Sequence, residues 1–440
     1  MDRSCIIRKV SIASVGALLV LFLATPGFPD QGTEEVENLK SMVQELKERV
    51  ETLEQQAETA AAEQKSLKER IQETVGLKIS GYVDTSFVWN ANTEDLATSN
   101  ATPEDADFSL DQVEIDLEKE ITSWLKVRTD IDFEEADGSL TADEIFEQGF
   151  VVATIPMFAS IDEDGWDVTV GKFNAPIGWE LLDAPDTYQF SQSITFLNGI
   201  PTNLTGVMLQ GNVTQYLDFA VYGVNGWDDD TSAVEDRNRD KTIGGRLGVT
   251  PFGELLNVGV SVIHGPESDP NADDPAEALA AAAGGQDNHD QRTVLDVDYT
   301  INLPILEGLI IGGEVNIGRD EHAQITFLTL PGQRPADAEW FGYFNTIHLD
   351  VLSWLGFTYR YDYFDDSSGA RISSTPRIPQ IWQSHTGAIT VNFTESAGFV
   401  VEYRFDQSNL GESDVAPFIK KDGTRDDENS TIATEFTYSF

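Results

Sequence analysis

Lys126, Arg128, Asp130 and Asp132 alternate one for one with Leu125, Val127, Thr129, Ile131 and Phe133. In an extended chain the side chains at i and i+2 share a face, so this segment presents an ionised face and a largely apolar one. The pattern returns in Gly356–Tyr363, where Phe357, Tyr359, Tyr361 and Tyr363 interleave with Thr358, Arg360 and Asp362. The polar parity of every clearly alternating segment collects six bases: Lys126, Arg128, Arg246, Arg292, Arg360 and Arg404. It also collects twelve acids: Glu114, Asp116, Glu118, Asp130, Asp132, Asp296, Asp298, Glu314, Asp362, Glu402, Asp406 and Glu435. Rows of charge that face water act on ions by electrostatic selection, without a covalent step. The excess of acids predicts an interior that attracts cations. The preference should be modest, because at ~0.15 M salt the Debye length is only about 8 Å. The alternative is that these charges pair across neighbouring strands and leave a nearly neutral interior.

Other chemistry finds little footing. His264, His289, His322, His348 and His385 are scattered with no metal-ligand spacing, so zinc has no support. Asp228-Asp229-Asp230 and Glu235-Asp236 lack the spacing of an EF-hand and read as a solvated acidic loop. Ser384-His385 is an adjacency, not a nucleophile–base–orienter constellation. The one cysteine, Cys5, sits in the first residues, which excludes thiolate and disulfide chemistry from the rest. No catalytic residue, cofactor or metal is expected, and the chain is not expected to be an enzyme.

One connecting segment is too apolar to remain in solvent. Residues 175–203 contain Pro176-Ile177-Gly178-Trp179-Glu180-Leu181-Leu182-Asp183-Ala184-Pro185-Asp186-Thr187-Tyr188. Two readings are open: a loop folded into a lumen, narrowing it with Trp179, Glu180, Asp183, Asp186 and Tyr188, or an external packed lid. Infolding is the favoured one.

These residues must be positioned by strands. From Lys78 onward sixteen segments of period two are legible: Lys78–Asn90, Phe108–Glu120, Leu125–Phe133, Ile145–Ile155, Trp166–Asn174, Leu204–Val213, Leu217–Val224, Thr242–Thr250, Leu255–His264, Arg292–Asn302, Leu309–Arg319, Glu339–Leu349, Ser353–Tyr363, Gln383–Thr394, Gly398–Gln407 and Ser430–Phe440. Ile145–Ile155 and Trp166–Asn174 alternate poorly. Odd-numbered links are long, at 11–29 residues, and even-numbered links are short, at 3–6, apart from the ten residues Pro156–Gly165. Long loops at one rim and tight turns at the other, around an even number of strands, describe an all-β, sixteen-stranded antiparallel transmembrane β-barrel of residues 78–440. The last strand carries Phe436, Tyr438 and Phe440 on one face and Glu435, Thr437 and Ser439 on the other. Pairing it with Lys78–Asn90 would close the barrel, with the aromatics towards lipid.

The segment ahead of the barrel reads in two parts. Arg3, Arg8 and Lys9 before the apolar run Val10–Ala24 make residues 1–27 a secretory signal peptide. Its removal leaves 25 basic against 75 acidic residues, a charge that argues against nucleic acid as a partner. Residues 33–75 then hold six heptads, with Leu39, Val43, Leu46, Val50, Leu53, Leu67 and Ile71 at a and d positions. That pattern predicts an N-terminal α-helical coiled coil of about 60 Å in the periplasm, rather than a solitary helix on the barrel rim. Val at a with Leu at d leans faintly towards two strands.

The terminal aromatic row resembles the C-terminal signature of Gram-negative outer-membrane proteins, which implies the barrel-assembly machinery as a partner during biogenesis. Val168–Glu180, continuing through Asp183-Ala184-Pro185-Asp186, resembles the central motif of OmpL-like outer-membrane porins, the β-barrel porin-2 family. Phe108–Lys119 is similar to that family's second strand. More distantly, the glycines and prolines of this motif are similar to those of phosphate-selective porins, but a phosphate pore needs a ladder of inward Arg and Lys that this chain lacks. The resemblance implies a protein surrounded by outer-membrane lipid, passive diffusion of small hydrophilic solutes or ions, and a homotrimer by analogy with general porins. The rival expectation is a structural barrel with a plugged lumen, whose coiled coil tethers it to the cell wall or a periplasmic partner.

Overall fold

A computed structural model describes residues 49, 52, 75–94, 106–134, 145–155, 165–227, 240–266, 290–303, 308–324, 336–372, 378–413, 415–420 and 422–440. The chain divides into Met1–Arg70 and Ile71–Phe440. The signal-peptide segment, and the coiled-coil positions Leu39, Val43, Leu46, Val50, Leu53, Leu67 and Ile71, lie outside the described residues, as do Asp228-Asp229-Asp230 and Glu235-Asp236.

Sixteen strands form one closed antiparallel barrel. In chain order they are β1 (Leu77–Asn90), β2 (Ala106–Thr122), β3 (Leu125–Glu134), β4 (Phe146–Ile155), β5 (Trp166–Asn174), β6 (Asn203–Thr214), β7 (Leu217–Val224), β8 (Thr242–Val249), β9 (Leu256–Pro266), β10 (Gln291–Asn302), β11 (Leu309–Gln324), β12 (Ala336–Leu352), β13 (Leu355–Asp366), β14 (Gln380–Asn392), β15 (Ala397–Ser408) and β16 (Glu428–Ser439). Each strand pairs with its neighbours in sequence. β16 closes on β1 from Tyr82 opposite Ser439 to Asn90 opposite Thr431. The Phe440 amide adds a hydrogen bond to the Gly81 carbonyl at 2.9 Å, so the ladder continues to the last residue.

Alternation sorts side chains between lipid and lumen. On β13 Phe357 and Tyr359 are exposed outward, whereas Thr358, Arg360 and Asp362 are buried inside. On β16 Phe436 and Tyr438 face out and Glu435 is buried within. Trp124, Tyr216, Phe252, Trp354 and Phe393 stand exposed at the short-turn rim, the place of an interfacial aromatic girdle. Several strands outrun their alternating segments at the long-loop end: β11 continues to Gln324 and β12 begins at Ala336. Above the hydrocarbon both faces meet water, so the pattern fades while the hydrogen-bond ladder continues.

Of six register shifts in the described ladder, four lie at or near strand ends and two fall within the first strands. β1 and β2 shift register at Asp84/Thr85, leaving Asp111 extra on β2. β3 and β4 shift at Asp130/Ile131, opposite Gln148 and Phe146, which leaves Glu147 extra on β4. A bulged residue escapes strict alternation, which explains why this part of β4 reads poorly as a strand.

The register makes a direct test of closure. Phe87 lies opposite Thr434. Introducing Phe87→Cys with Thr434→Cys should give an intramolecular disulfide on oxidation, read as a redox-dependent gel shift of the denatured chain. The one-residue slip, Phe87→Cys with Glu435→Cys, should not, because its second thiol points into the lumen.

Candidate functional site

Between β5 and β6 the chain leaves the wall and enters the barrel. The two ends of the excursion are held together at the wall, with the Ala175 amide on the Thr202 carbonyl at 2.8 Å and Asn203 donating to Asn174 at 2.7 Å. The turn that directs the chain inward needs Gly178, whose φ is +86°. A Cβ there would lie 2.5 Å from Ile200 Cδ1 and 3.0 Å from Glu314 Oε2.

From this turn the loop is fastened to inward-facing residues of successive strands. The Trp179 amide donates to Glu314 of β11 at 3.0 Å, and its indole N–H donates to Thr300 of β10 at 2.9 Å. Glu180 pairs with Arg360 of β13 at 2.8 Å and accepts from the Ser193 amide at 2.7 Å. The Tyr188 carbonyl accepts from Thr358 and Thr390, at 3.0 and 3.3 Å, and the Tyr188 ring stacks on His348 of β12 at 4.2 Å. The Ser191 amide donates to Glu402 of β15 at 3.0 Å. The loop then forms a helix, α1 (Ile194–Gly199), capped by Ser193 and held by Asp362, which accepts from the Ile194 amide at 3.2 Å.

Arg360 is the hub. Fully buried, it donates to Glu180, to Asp362 at 2.9 Å, to the Ser191 carbonyl at 2.6 Å and to the Gln192 carbonyl at 2.9 Å. Arg404 donates to the Gln192 carbonyl at 3.0 Å and to Asp406 at 2.8 Å. Burial pushes the Glu180 carboxyl above its ordinary range, against the opposing pull of Arg360.

Asp183 lies on the other side. It approaches Glu114 of β2 and Glu147 of β4, whose carboxylate oxygens all lie within 4.8 Å of one another. Burial, with Asp186 next, raises the Asp183 carboxyl to about 6. Of the loop acids, Asp186 alone is exposed. Sequence spacing pointed to no metal, yet three elements bring three carboxylates into reach of one hard cation.

The six inward bases all have carboxylate partners. Lys126 pairs with Glu118 at 3.3 Å, Arg128 with Asp130 at 2.8 Å and Asp116 at 3.3 Å, and Arg246 with Asp298. Arg292, buried under Trp227, pairs with Asp320 at 2.7 Å. Among the described residues Asp132 is buried, and Asp296 and Glu314 are fully covered. Trp340, Phe364 and Trp382 point in, on the same parity as Arg360 and Asp362, and pack with Ile177, Ile194 and Phe196 of the loop. No periodicity marks that internal apolar core. A cavity of about 410 Å³ remains towards the short-turn rim, between Trp179 and Tyr188 of the loop and Arg246, Asn257, Asp298 and Thr346 of the wall.

Residues 76–440 match the family described as "Putative beta-barrel porin-2, OmpL-like". The chain belongs to this family. As an OmpL-like porin it is a transmembrane barrel of the bacterial outer membrane. No curated protein matches it. It is similar in fold to OmpT of Vibrio cholerae, with 12% identity and a TM-score of 0.50 over 83% of this chain and 97% of that one. The anion-selective porin from Comamonas acidovorans is similar at 10% identity and a TM-score of 0.53, over 83% and 99% of the two chains. OmpF of Salmonella typhi, solved in complex with daunomycin, gives 11%, 0.53, 83% and 97%.

Replacing the hub tests how the loop is held. Arg360→Ala strands Glu180 and Asp362 as buried unpaired charges, a loss of about 3–5 kcal/mol from loop docking. The variant should expose residues 175–203 to limited proteolysis in the folded barrel. Gly178→Ala should do so more weakly, since only the turn is strained.

Proposed function

We propose that this OmpL-like porin conducts small hydrophilic solutes by passive diffusion, with a modest preference for cations and with the 175–203 loop setting the narrowest passage. The observation that carries this reading is the unequal pairing of inward charges. Each of the six bases is committed to a carboxylate. Among the described residues Asp84, Glu114, Glu147, Asp183, Asp296, Glu314, Glu402 and Glu435 form no ion pair with a base. Paired bases contribute little field beyond their partners, and those surplus acids that stay ionised attract counter-ions, whereas crowded carboxyls such as Glu114, Glu147 and Asp183 share protons or a cation. The fold does not set the sign, since a neighbour of similar architecture is described as anion-selective. The cavity beside Trp179 and Tyr188 serves as the vestibule below the constriction.

A second reading has an observation of its own. The loop is fastened to at least five strands and packs into an internal apolar core, as a plug would be. In that case the barrel is structural and the coiled coil of residues 33–75 tethers it to the cell wall or a periplasmic partner. Stable single-channel conductance in planar bilayers excludes the plug, and its absence excludes the pore.

Under a KCl gradient the reversal potential should carry the cation sign, and an anion-signed potential overturns the charge reading. In divalent-free buffer the preference should also fall as pH drops through about 6, where Asp183 gains its proton beside Glu114 and Glu147. The sign follows from a raised carboxyl. Its buried charge opposes loop docking above that pH, and protonation below it removes both the repulsion and one attractive site.

The assembly is proposed to be a homotrimer in outer-membrane lipid, delivered by the barrel-assembly machinery. The in-vitro folded OmpT of Vibrio cholerae, 12% identical with a TM-score of 0.50, has been solved in a trimer form. Deleting residues 33–74 should lower the thermal stability of the oligomer, measured by native-gel mobility after stepwise heating, while leaving unit conductance unchanged.

A further inference from the structure

We propose that Glu114, Glu147 and Asp183 form a calcium site that fastens the infolded loop to the barrel wall. Their carboxylate oxygens all lie within 4.8 Å of one another. Calcium binds oxygen at about 2.3–2.6 Å, so two ligands on opposite sides of one ion stand roughly 5 Å apart. All three carboxylates can therefore reach a single ion from where they stand.

No lysine or arginine forms an ion pair with any of the three among the described residues. Glu114 is 1% exposed, and its Oε2 has no hydrogen-bond partner, nor does Glu147 Oε1. Buried polar atoms in folded proteins are almost always satisfied, so unpartnered oxygens on two buried carboxylates that stand within reach of a third ask for a ligand. Arg128, the base that acts on Asp183, is already bonded to Asp130 and Asp116. Three carboxylates this close cannot all ionise without a cation between them.

Ligand chemistry narrows the choice of ion. The set is all oxygen, without imidazole or thiolate, which disfavours zinc and suits a hard cation. Magnesium demands near-ideal octahedral geometry and sheds water reluctantly, whereas calcium accepts irregular carboxylate sets completed by water. A strand, a bulge and a loop supply such an irregular set.

The consequence is mechanical. Trp179, Glu180 and Ser191 hold the loop to β11, β13 and β15, while Glu114 and Glu147 belong to β2 and β4. In a sixteen-strand ring those groups lie on different sides of the lumen. An ion at Asp183 would complete a brace across the passage. The site does not depend on which ion the pore prefers, and its test reads binding rather than conductance.

Terbium is the probe, since it occupies calcium sites and Tyr82 faces the same three acids. The full-length folded barrel in detergent should give saturable tyrosine-sensitised emission. Calcium should displace it with an apparent Kd of roughly 10⁻⁴–10⁻³ M, the range of weak carboxylate sites, and magnesium should need at least about tenfold more. Asp183→Asn, a loop change outside the strand ladder, should weaken calcium at least about tenfold while the heat-modifiable gel mobility of the barrel is retained. Glu147→Gln should do the same and carries the test if Asp183→Asn fails to fold. Absence of saturable emission, or unchanged calcium affinity in the folded variant, overturns the site and leaves its carboxylates held by protons.

Discussion

The structure depends on the seam between β1 and β16. Hydrocarbon offers no hydrogen-bond partner, so each unpaired backbone group in it costs several kcal/mol, and only a closed sheet avoids a free edge. The register from Tyr82 opposite Ser439 to Asn90 opposite Thr431 removes that edge. It also fixes parity around the barrel: a slip of one residue would carry Glu435 to lipid and Phe436 to the lumen. Which charges meet in the interior is settled by this constraint before any side chain chooses a partner.

Closure moves nearly all polar side chains of the strands to one side, and the interior must then manage crowded charge. Arg360 does so by gathering Asp362 of its own strand, Glu180 of the loop and two loop carbonyls. The loop gains its path from this arginine and the adjacent apolar core rather than from regular structure of its own. A buried charge cluster of this kind is weak evidence for stability, since desolvation offsets much of its attraction. Its value is geometric: the same four contacts can be satisfied in only one position of the loop.

The strands were legible because lipid enforces a period of two on one face, and all sixteen alternating segments correspond to strands of the barrel. The family resemblance on Val168–Glu180 agrees with the match over residues 76–440. The interior was far less legible. Glu147 escaped because the bulge beside Asp130/Ile131 suspends alternation where it sits. The internal core escaped because Trp340, Phe364 and Trp382 sit among polar residues on the lumen parity, and alternation does not say what an inward apolar residue packs against. Composition marked Ile177, Trp179 and the acids of the loop as unusual. Their partners, on β2, β4 and β10–β15, are set by folding in space, which no local spacing encodes.

The division between wall and interior has an evolutionary-scale consequence visible in the fold comparisons. An anion-selective porin shares the architecture at 10% identity and a TM-score of 0.53. Closure constrains where an inward residue points and leaves its identity free, so the sign of a lumen can invert without disturbing the ladder. In this chain each inward arginine is hydrogen-bonded to a carboxylate of the wall or of the loop, Arg404 to Asp406 and Arg246 to Asp298 among them. Arginine suits that duty, because its planar fork satisfies carboxylates and carbonyls together. Once so engaged, it is lost to the solute field. Under the proposed pore reading, the ionised acids in excess of these pairs are the charges that would act on a passing ion, and only within the short reach that salt allows.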